Sequence, residues 1–357
     1  MKRVYLWLYI HFKYGFHLRK PFYPFRIIGN FLRAKWYVLI KSNKFVLRGI
    51  DFAVTYNCNF RCEHCYAERL KKQNRQIMTI ENYRSVCEQA MRLGCICFSL
   101  QGGEVFMRRD WQEIIRAFKP HRNHILLTTN GSLITEERVK KLKKLGLDTL
   151  YFSVDSGIAE EHDKFRNAPG NFDKIMKAVD YCRRHGIKVV FNTCITKQSL
   201  YSEGLIRLLE HCHKGGILIE AIFARCLGNF DRRYEVMLDE KDVDYYYALK
   251  KKYPLMVRDL DNNYGGWGCP AVKEVLYITA YGDVCPCPYS HISLGNVGKE
   301  SLQKIRERGL RVHWYDHFHR KCLTAQDKDF IKAYYPLVEN RPLISLDELM
   351  KSEMFTG

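Results

Sequence analysis

Asp51-Phe-Ala-Val-Thr-Tyr-Asn-Cys58-Asn-Phe-Arg-Cys62-Glu-His-Cys65 passes from a strand-like run, Phe52–Tyr56, straight into three cysteines spaced three and then two residues apart. Downstream of it the chain alternates strand-like and helix-like stretches. Strand-like runs recur at Cys95–Leu100, Ile125–Thr129, Thr149–Val154, Lys188–Cys194 and Ile217–Phe223. Helical periodicity fills about 80–93, 110–119, 135–145, 172–185 and 199–213, and Gly94, Gly146 and Gly186 supply helix stops. Such alternation predicts parallel strands joined by right-handed crossovers. Six units fall short of the eight of a closed barrel. The expected fold is therefore α/β, a partial (β/α)6 TIM-like barrel over 51–224. Its site should lie at the C-terminal ends of the strands, where the cysteine loop sits.

The composition supports a folded intracellular chain. Its 357 residues give ample chain for a core, and 13% aromatics with only 10 Pro exclude a mainly disordered polymer. Fourteen Cys in a chain of this size suit metal or redox use better than a disulfide framework. Beyond the barrel, residues 225–268 read as a polar connector with a helix near 239–252. Residues 274–288 read as a hairpin turning at Tyr281-Gly282-Asp283, and a last helix is expected at about 299–309. Residues 323–357 form a charged tail without Cys.

Three thiolates on one tight loop can hold three irons of a [4Fe–4S] cube and leave the fourth open to another molecule. Zinc is the competing reading, though it usually wants four protein ligands, and only His64 stands near. This Cys-x3-Cys-x2-Cys loop after the first strand resembles the signature of the radical SAM superfamily. In that family the open iron chelates S-adenosylmethionine, whose reductive cleavage gives methionine and a 5′-deoxyadenosyl radical that abstracts hydrogen from substrate. Further matches follow in the family's order. Gln101-Gly102-Gly103-Glu104 resembles the motif whose glycines let backbone approach the ligand and whose carboxylate meets the methionine ammonium, with Val105 where Pro is common. Thr128-Thr129-Asn130-Gly131 resembles the family's TNG stretch. Ser153-Val-Asp155-Ser156 with His162-Asp-Lys-Phe-Arg166 resembles its SxDG…HDxxR pattern. The resemblance implies cofactor contacts at Gln101, Gly102, Gly103, Glu104, Asn130, Ser153, Asp155, Arg166 and Asn192. For Asn130 and Asn192 a structural turn or core role stands beside that reading.

A second group, Cys269, Gly282 and Cys287, resembles the opening of the SPASM/twitch auxiliary-cluster region. Cys322 is the only downstream Cys and the expected third ligand. Cys285 shares a strand face with Cys287 and is either a fourth ligand or merely nearby. The paired cysteines of a full SPASM region are absent, which implies a twitch-like module over 225–322 with one auxiliary cluster, also [4Fe–4S]. Zinc on the same four cysteines is the alternative. The remaining seven Cys read as small core hydrophobes, with Cys226 singled out for its place at the mouth.

Residues 1–50 carry eleven Lys and Arg, no Asp or Glu, and thirteen aromatics. That mixture suits an arm packed on the enzyme body, a membrane surface, or, less well, nucleic acid. Val4–Ile10 is too short and too soon followed by His11 and Lys13 for a secretory signal. The resulting expectation is a cytoplasmic radical SAM oxidoreductase or maturase, peripheral at most to the inner face of the membrane. It would take electrons from a flavodoxin- or ferredoxin-like partner and act on an unidentified peptide, sugar, lipid or other small molecule. The alternative is a non-catalytic zinc- or cluster-bearing binding protein with a basic arm.

Overall fold

The computed structural model describes residues 20–71, 73–261, 263–264 and 268–351. Residues 1–19, part of the basic arm, lie outside the described residues. The six expected barrel strands are present: β1 Gly49–Thr55, β2 Cys97–Gly102, β3 His124–Thr129, β4 Thr149–Ser153, β5 Lys188–Ile195 and β6 Leu218–Phe223. All pair in parallel with their sequential neighbours. Period-two alternation decides the faces. Ile50, Phe52 and Val54 of β1 point outward into the main core, where Phe98 and Phe118 stack at 5.0 Å. Asp51 and, across the register, Ser99 border the lumen instead.

The crossover helices are α2 Ile80–Arg92, α3 Trp111–Ala117, α4 Glu136–Leu145, α5 Ala159–Arg166, α6 Asn171–Arg184 and α7 Glu203–Gly215. Their ends are written in the sequence. Thr79 and Asn82 form a reciprocal capping box on α2, and Thr135 caps α4. α5 was not read from the sequence; it has only eight residues and a charged stretch instead of an apolar period.

Three further departures are informative. The connector expected at 225–268 contains, besides helix α8 Glu240–Lys252, a seventh parallel strand, β7 Met256–Arg258, paired with β6. Three residues are too few to show a period, and all three are buried. The hairpin strands β8 Val275–Ile278 and β9 Asp283–Cys285 do not form a separate sheet, because β8 pairs in parallel with β1. One ten-stranded sheet results, ordered β10-β9-β8-β1-β2-β3-β4-β5-β6-β7, where β10 is Gly295–Asn296. The expected tail is folded as well. After α9, Leu302–Leu310, helix α10, Lys328–Val338, buries Phe330, Tyr334 and Tyr335 against the module.

The described part of the arm forms helix α1, Tyr23–Leu39, started by a proline in its first turn. One face packs beneath the N-terminal ends of the barrel strands. Lys20 pairs with Asp148 and donates to Asn123 O at 2.7 Å. Arg26 donates to Cys95 O at 3.0 Å and Asn30 to Gly94 O at 2.7 Å. Tyr23 stacks on His124. Among the described residues no helix is long and apolar enough to cross a membrane.

Candidate active site

The cysteine loop is held from three sides. Where β1 ends, Gly103 N donates to Thr55 O at 2.7 Å and Glu104 N to Asn57 O at 2.9 Å. A Cβ on Gly102, whose φ is +129°, would collide with Thr55 O, and one on Gly103 with Asn57 O. These glycines bring the end of β2 against the chain entering the loop, so their first partner is the loop itself. From α5, Phe165 O accepts from Glu63 N at 3.1 Å. From the turn after β6, Asn229 donates its backbone N–H to Cys65 O at 3.1 Å and its side chain to Cys62 O at 2.9 Å.

Gly228 sits at φ +63° with its α-carbon against Cys65 O. Gly228→Ala should therefore displace the loop. A left-handed alanine in collision with backbone costs on the order of 1–3 kcal/mol. The checks are a lowered melting temperature and a reduced iron content in the first cysteine group; unchanged values on both would refute the bracing role.

Cys58, Cys62 and Cys65 border one cavity of about 160 Å³. Gln101, Gly102, Gly103, Asn130, Ser153, Arg166 and Asn192, expected from the sequence, border the same cavity. Burial pushes the Cys58 thiol up and the Cys65 thiol up to about 11, so thiolates here need positive charge beside them. Arg166 supplies some of it. Its Nη1 lies 4.0 Å from Cys62 Sγ, and its Nε donates to Asp155 Oδ2 at 2.6 Å. Burial would raise the Asp155 carboxyl, but the Arg166 guanidinium beside it holds it below the usual range. His64 stacks on Phe165 at 4.5 Å, and burial lowers it to about 3, so it is a neutral aromatic wall. Asn130 Nδ2 lies 3.9 Å from Cys58 Sγ.

Two expected contacts are placed differently. Glu104 is fully buried and does not border the cavity. Its carboxylate accepts from Thr129 Oγ1 and Asn130 N at 2.9 Å and from Phe106 N at 3.2 Å. It positions the Thr129–Asn130 turn and does not face the cavity. Asp155, spent on Arg166 and on Cys194 N at 2.9 Å, likewise acts through its neighbours.

Cys269, Cys287 and Cys322 border a second cavity, of about 180 Å³. Cys269 N donates to His319 O at 2.7 Å, tying the first of them to the segment that carries the third. Burial raises both Cys269 and Cys287. Cys285 is not among them. It is completely buried in a separate cluster with Ala53, Tyr56, Leu70 and Tyr277. The same-face expectation fails because β9 ends at Cys285 and Pro286 stops the ladder, so Cys287 leaves the strand. Among the described residues no three His, Cys, Asp or Glu side chains close on a single metal ion. Both cysteine groups border open volume, an arrangement suited to a multi-atom cluster.

Sequence reasoning missed Arg225. Buried at the end of β6, it lays its guanidinium 3.8 Å over Tyr289, reaches Cys322 Sγ at 3.4 Å, and donates to Asp259 at 2.9 Å and Thr324 Oγ1 at 3.0 Å. The neighbouring Cys226, expected at the mouth, packs on Met237 away from both cavities. Two cysteines taken for core packing also differ: Cys194 borders the first cavity and Cys97 the second. Gln101, Thr128, Asn192, Ile222, Arg225 and Tyr289 border both cavities, so the two share a wall inside the lumen.

Comparison with known proteins agrees with this geometry. The radical SAM superfamily profile matches residues 52–208, and the SPASM iron–sulfur cluster-binding domain profile matches 269–324. The chain is 24% identical over 288 residues to an AdoMet-dependent heme synthase of Methanosarcina barkeri, covering 73% of this chain and 82% of that protein. It is 24% identical over 266 residues to the antilisterial bacteriocin subtilosin biosynthesis protein AlbA of Bacillus subtilis, covering 71% and 58%. In fold it is similar to Streptococcus suis SuiB bound to S-adenosylmethionine, with a TM-score of 0.63 at 17% identity over 89% of this chain and 81% of that one. The first domain implies a [4Fe–4S] cluster with S-adenosylmethionine, and the second implies auxiliary iron–sulfur clusters. The cysteine loop at the C-terminal end of β1 falls within the first match and the later cysteine group within the second, and the chain belongs to the radical SAM superfamily as an enzyme with a SPASM-type domain.

Proposed function

We propose that this enzyme oxidises a small polar group held in the barrel lumen between its two cysteine groups. The observation that carries the reading is the wall shared by the two cavities. In it, Cys58, Cys62 and Cys65 hold the first cluster. Gln101, Gly102, Gly103, Asn130, Ser153, Asn192 and Arg166 surround S-adenosylmethionine, while Cys269, Cys287 and Cys322 hold the auxiliary cluster. The bound cofactors supply a hydrogen-abstracting radical on one side and an electron acceptor on the other, with a flavodoxin- or ferredoxin-like protein as reductant.

The chain's own residues select and hold the substrate. Asp51, Ser99, Gln101, Thr128, Asn192 and Glu220 give the lumen a polar lining. Asn192 Oδ1 is buried without a hydrogen-bond partner among the described residues, an acceptor left for a ligand. Burial raises Asp51 to about 6, which suits it to take the proton that a substrate hydroxyl or amine loses when the carbon radical beside it gives its electron to the acceptor, while Glu220, raised by burial to about 8, is mostly protonated at neutral pH and donates a hydrogen bond.

The test is anaerobic reconstitution. Wild-type enzyme should be brown and hold about eight irons, two four-iron clusters. A Cys269→Ala/Cys287→Ala/Cys322→Ala variant should lose about half of that iron and still form 5′-deoxyadenosine with dithionite. Full iron content in the variant, or a colourless wild-type protein with one zinc, would overturn the proposal.

A further inference from the structure

We infer that helix α1 is an interfacial helix that seats the enzyme on an anionic lipid bilayer, with the barrel floor toward lipid and the site mouth toward water. Two faces of this helix differ in what they touch. The inner face (Tyr23, Ile27, Asn30 and Ala34) is buried against the barrel floor. The outer face carries Phe22, Phe25, Leu32, Trp36 and Leu39, spaced by three, seven, four and three residues, which places them on one stripe. Phe22 is 76% exposed, Phe25 71%, Leu32 61% and Leu39 74%. Ile28 and Ile40 widen the stripe. Single exposed apolar residues are ordinary, but a contiguous run on one helix marks an interaction surface.

Charge identifies the occupant. Lys41 and Lys44 follow the stripe, both exposed, and residues 1–50 contain no acid at all. A second copy of the chain would set these cations against each other, and like-charge juxtaposition opposes such a contact. Nucleic acid would satisfy the charge but offers its grooves and stacked bases to rings and cations, with no place for Ile28, Leu32, Leu39 and Ile40. An anionic bilayer takes both parts: aliphatic side chains below the headgroups, Trp36 at their level, lysines among the phosphates. A helix of 17 residues lying flat on that surface needs no spanning segment.

Anchorage gives the inference its orientation. Residues Gly94, Cys95, Asn123 and Asp148, which hold α1, each lie just before β2, β3 or β4. The cysteine loop lies at the opposite ends of the same strands. A protein seated through α1 therefore presents its catalytic mouth to the aqueous phase, and substrate arrives from there.

The experiment is co-sedimentation of the full-length, cluster-loaded enzyme with vesicles of phosphatidylglycerol and phosphatidylcholine, and with phosphatidylcholine alone. Binding is expected to the anionic vesicles, to weaken at least tenfold from 50 to 500 mM salt, and to be far weaker on phosphatidylcholine. The Phe25→Ser/Leu32→Ser/Trp36→Ser variant should lose at least tenfold in affinity while its melting temperature, iron content and 5′-deoxyadenosine formation stay unchanged. Brominated lipid should quench wild-type fluorescence more than that of a Trp36→Phe variant. Equal pelleting of wild type and triple variant would overturn the inference. So would a wild-type dimer that the variant converts to monomer, or a melting temperature that falls in the variant, since either assigns the stripe to protein packing.

Discussion

Replacing Cys58, Cys62 and Cys65 together by alanine should reduce 5′-deoxyadenosine formation to background in the dithionite-treated enzyme and remove about four irons, one cluster, while the auxiliary iron remains. The three sulfurs border the same cavity, and Cys194 is the only other thiol on its wall. Cys194 lies on β5, across the lumen from the loop, and one thiol cannot replace three. The fold should survive. Cys58 and Cys65 are only partly buried, and the loop's shape is set by backbone contacts to β2, α5 and the turn at Asn229. The melting temperature of the apoprotein should therefore change little. Retained cleavage in the triple variant would remove the loop from the chemistry altogether.

The second large effect is expected at Arg225. Substituting methionine keeps much of the volume over Tyr289 but removes the charge between Cys322 and Asp259. Breaking a buried ion pair from one side costs about 3–5 kcal/mol, because the remaining partner is left uncompensated. In a protein this size that corresponds to roughly 4–7 °C in melting temperature. Iron at the auxiliary site should fall along with it, since Cys322 loses the guanidinium that holds it at 3.4 Å. Lysine should rescue little: one ammonium cannot reach Thr324, Asp259 and the tyrosine face as a planar guanidinium does. Calorimetry with iron counting checks both, and a variant as stable and as iron-rich as wild type would show that Arg225 matters to neither.

Much of this was legible because it rests on short-range pattern. The strand–helix alternation placed all six barrel strands within two or three residues. The spacing of Cys58, Cys62 and Cys65 and the run Gln101–Gly103 marked the site, since strand ends carry the lining of a barrel mouth. What escaped has physical reasons of its own. Strand β7 is three residues long, and its placement beside β6 is a tertiary fact. Helix α10 looked like a charged tail because its buried aromatics, Phe330, Tyr334 and Tyr335, alternate with lysines. Glu104 matched a motif, but its two oxygens are consumed by the next strand's turn, a hydrogen-bond count no motif contains. Arg225 is one cation among 58, and only its burial against Tyr289 and Cys322 sets it apart.

The pairing of β8 with β1 has a mechanical consequence. The first cysteine loop leaves the end of β1; Cys269 leads into β8, and Cys287 follows β9. Adjacent strands sit about 4.8 Å apart, locked by backbone hydrogen bonds. The ladder ties Cys269 and Cys287 to the first loop through paired strands, so folding itself sets the gap an electron would cross. Transfer between them should behave like conduction through a rigid insulator, indifferent to solvent viscosity. Any gating of turnover would then fall to the loops at the mouth.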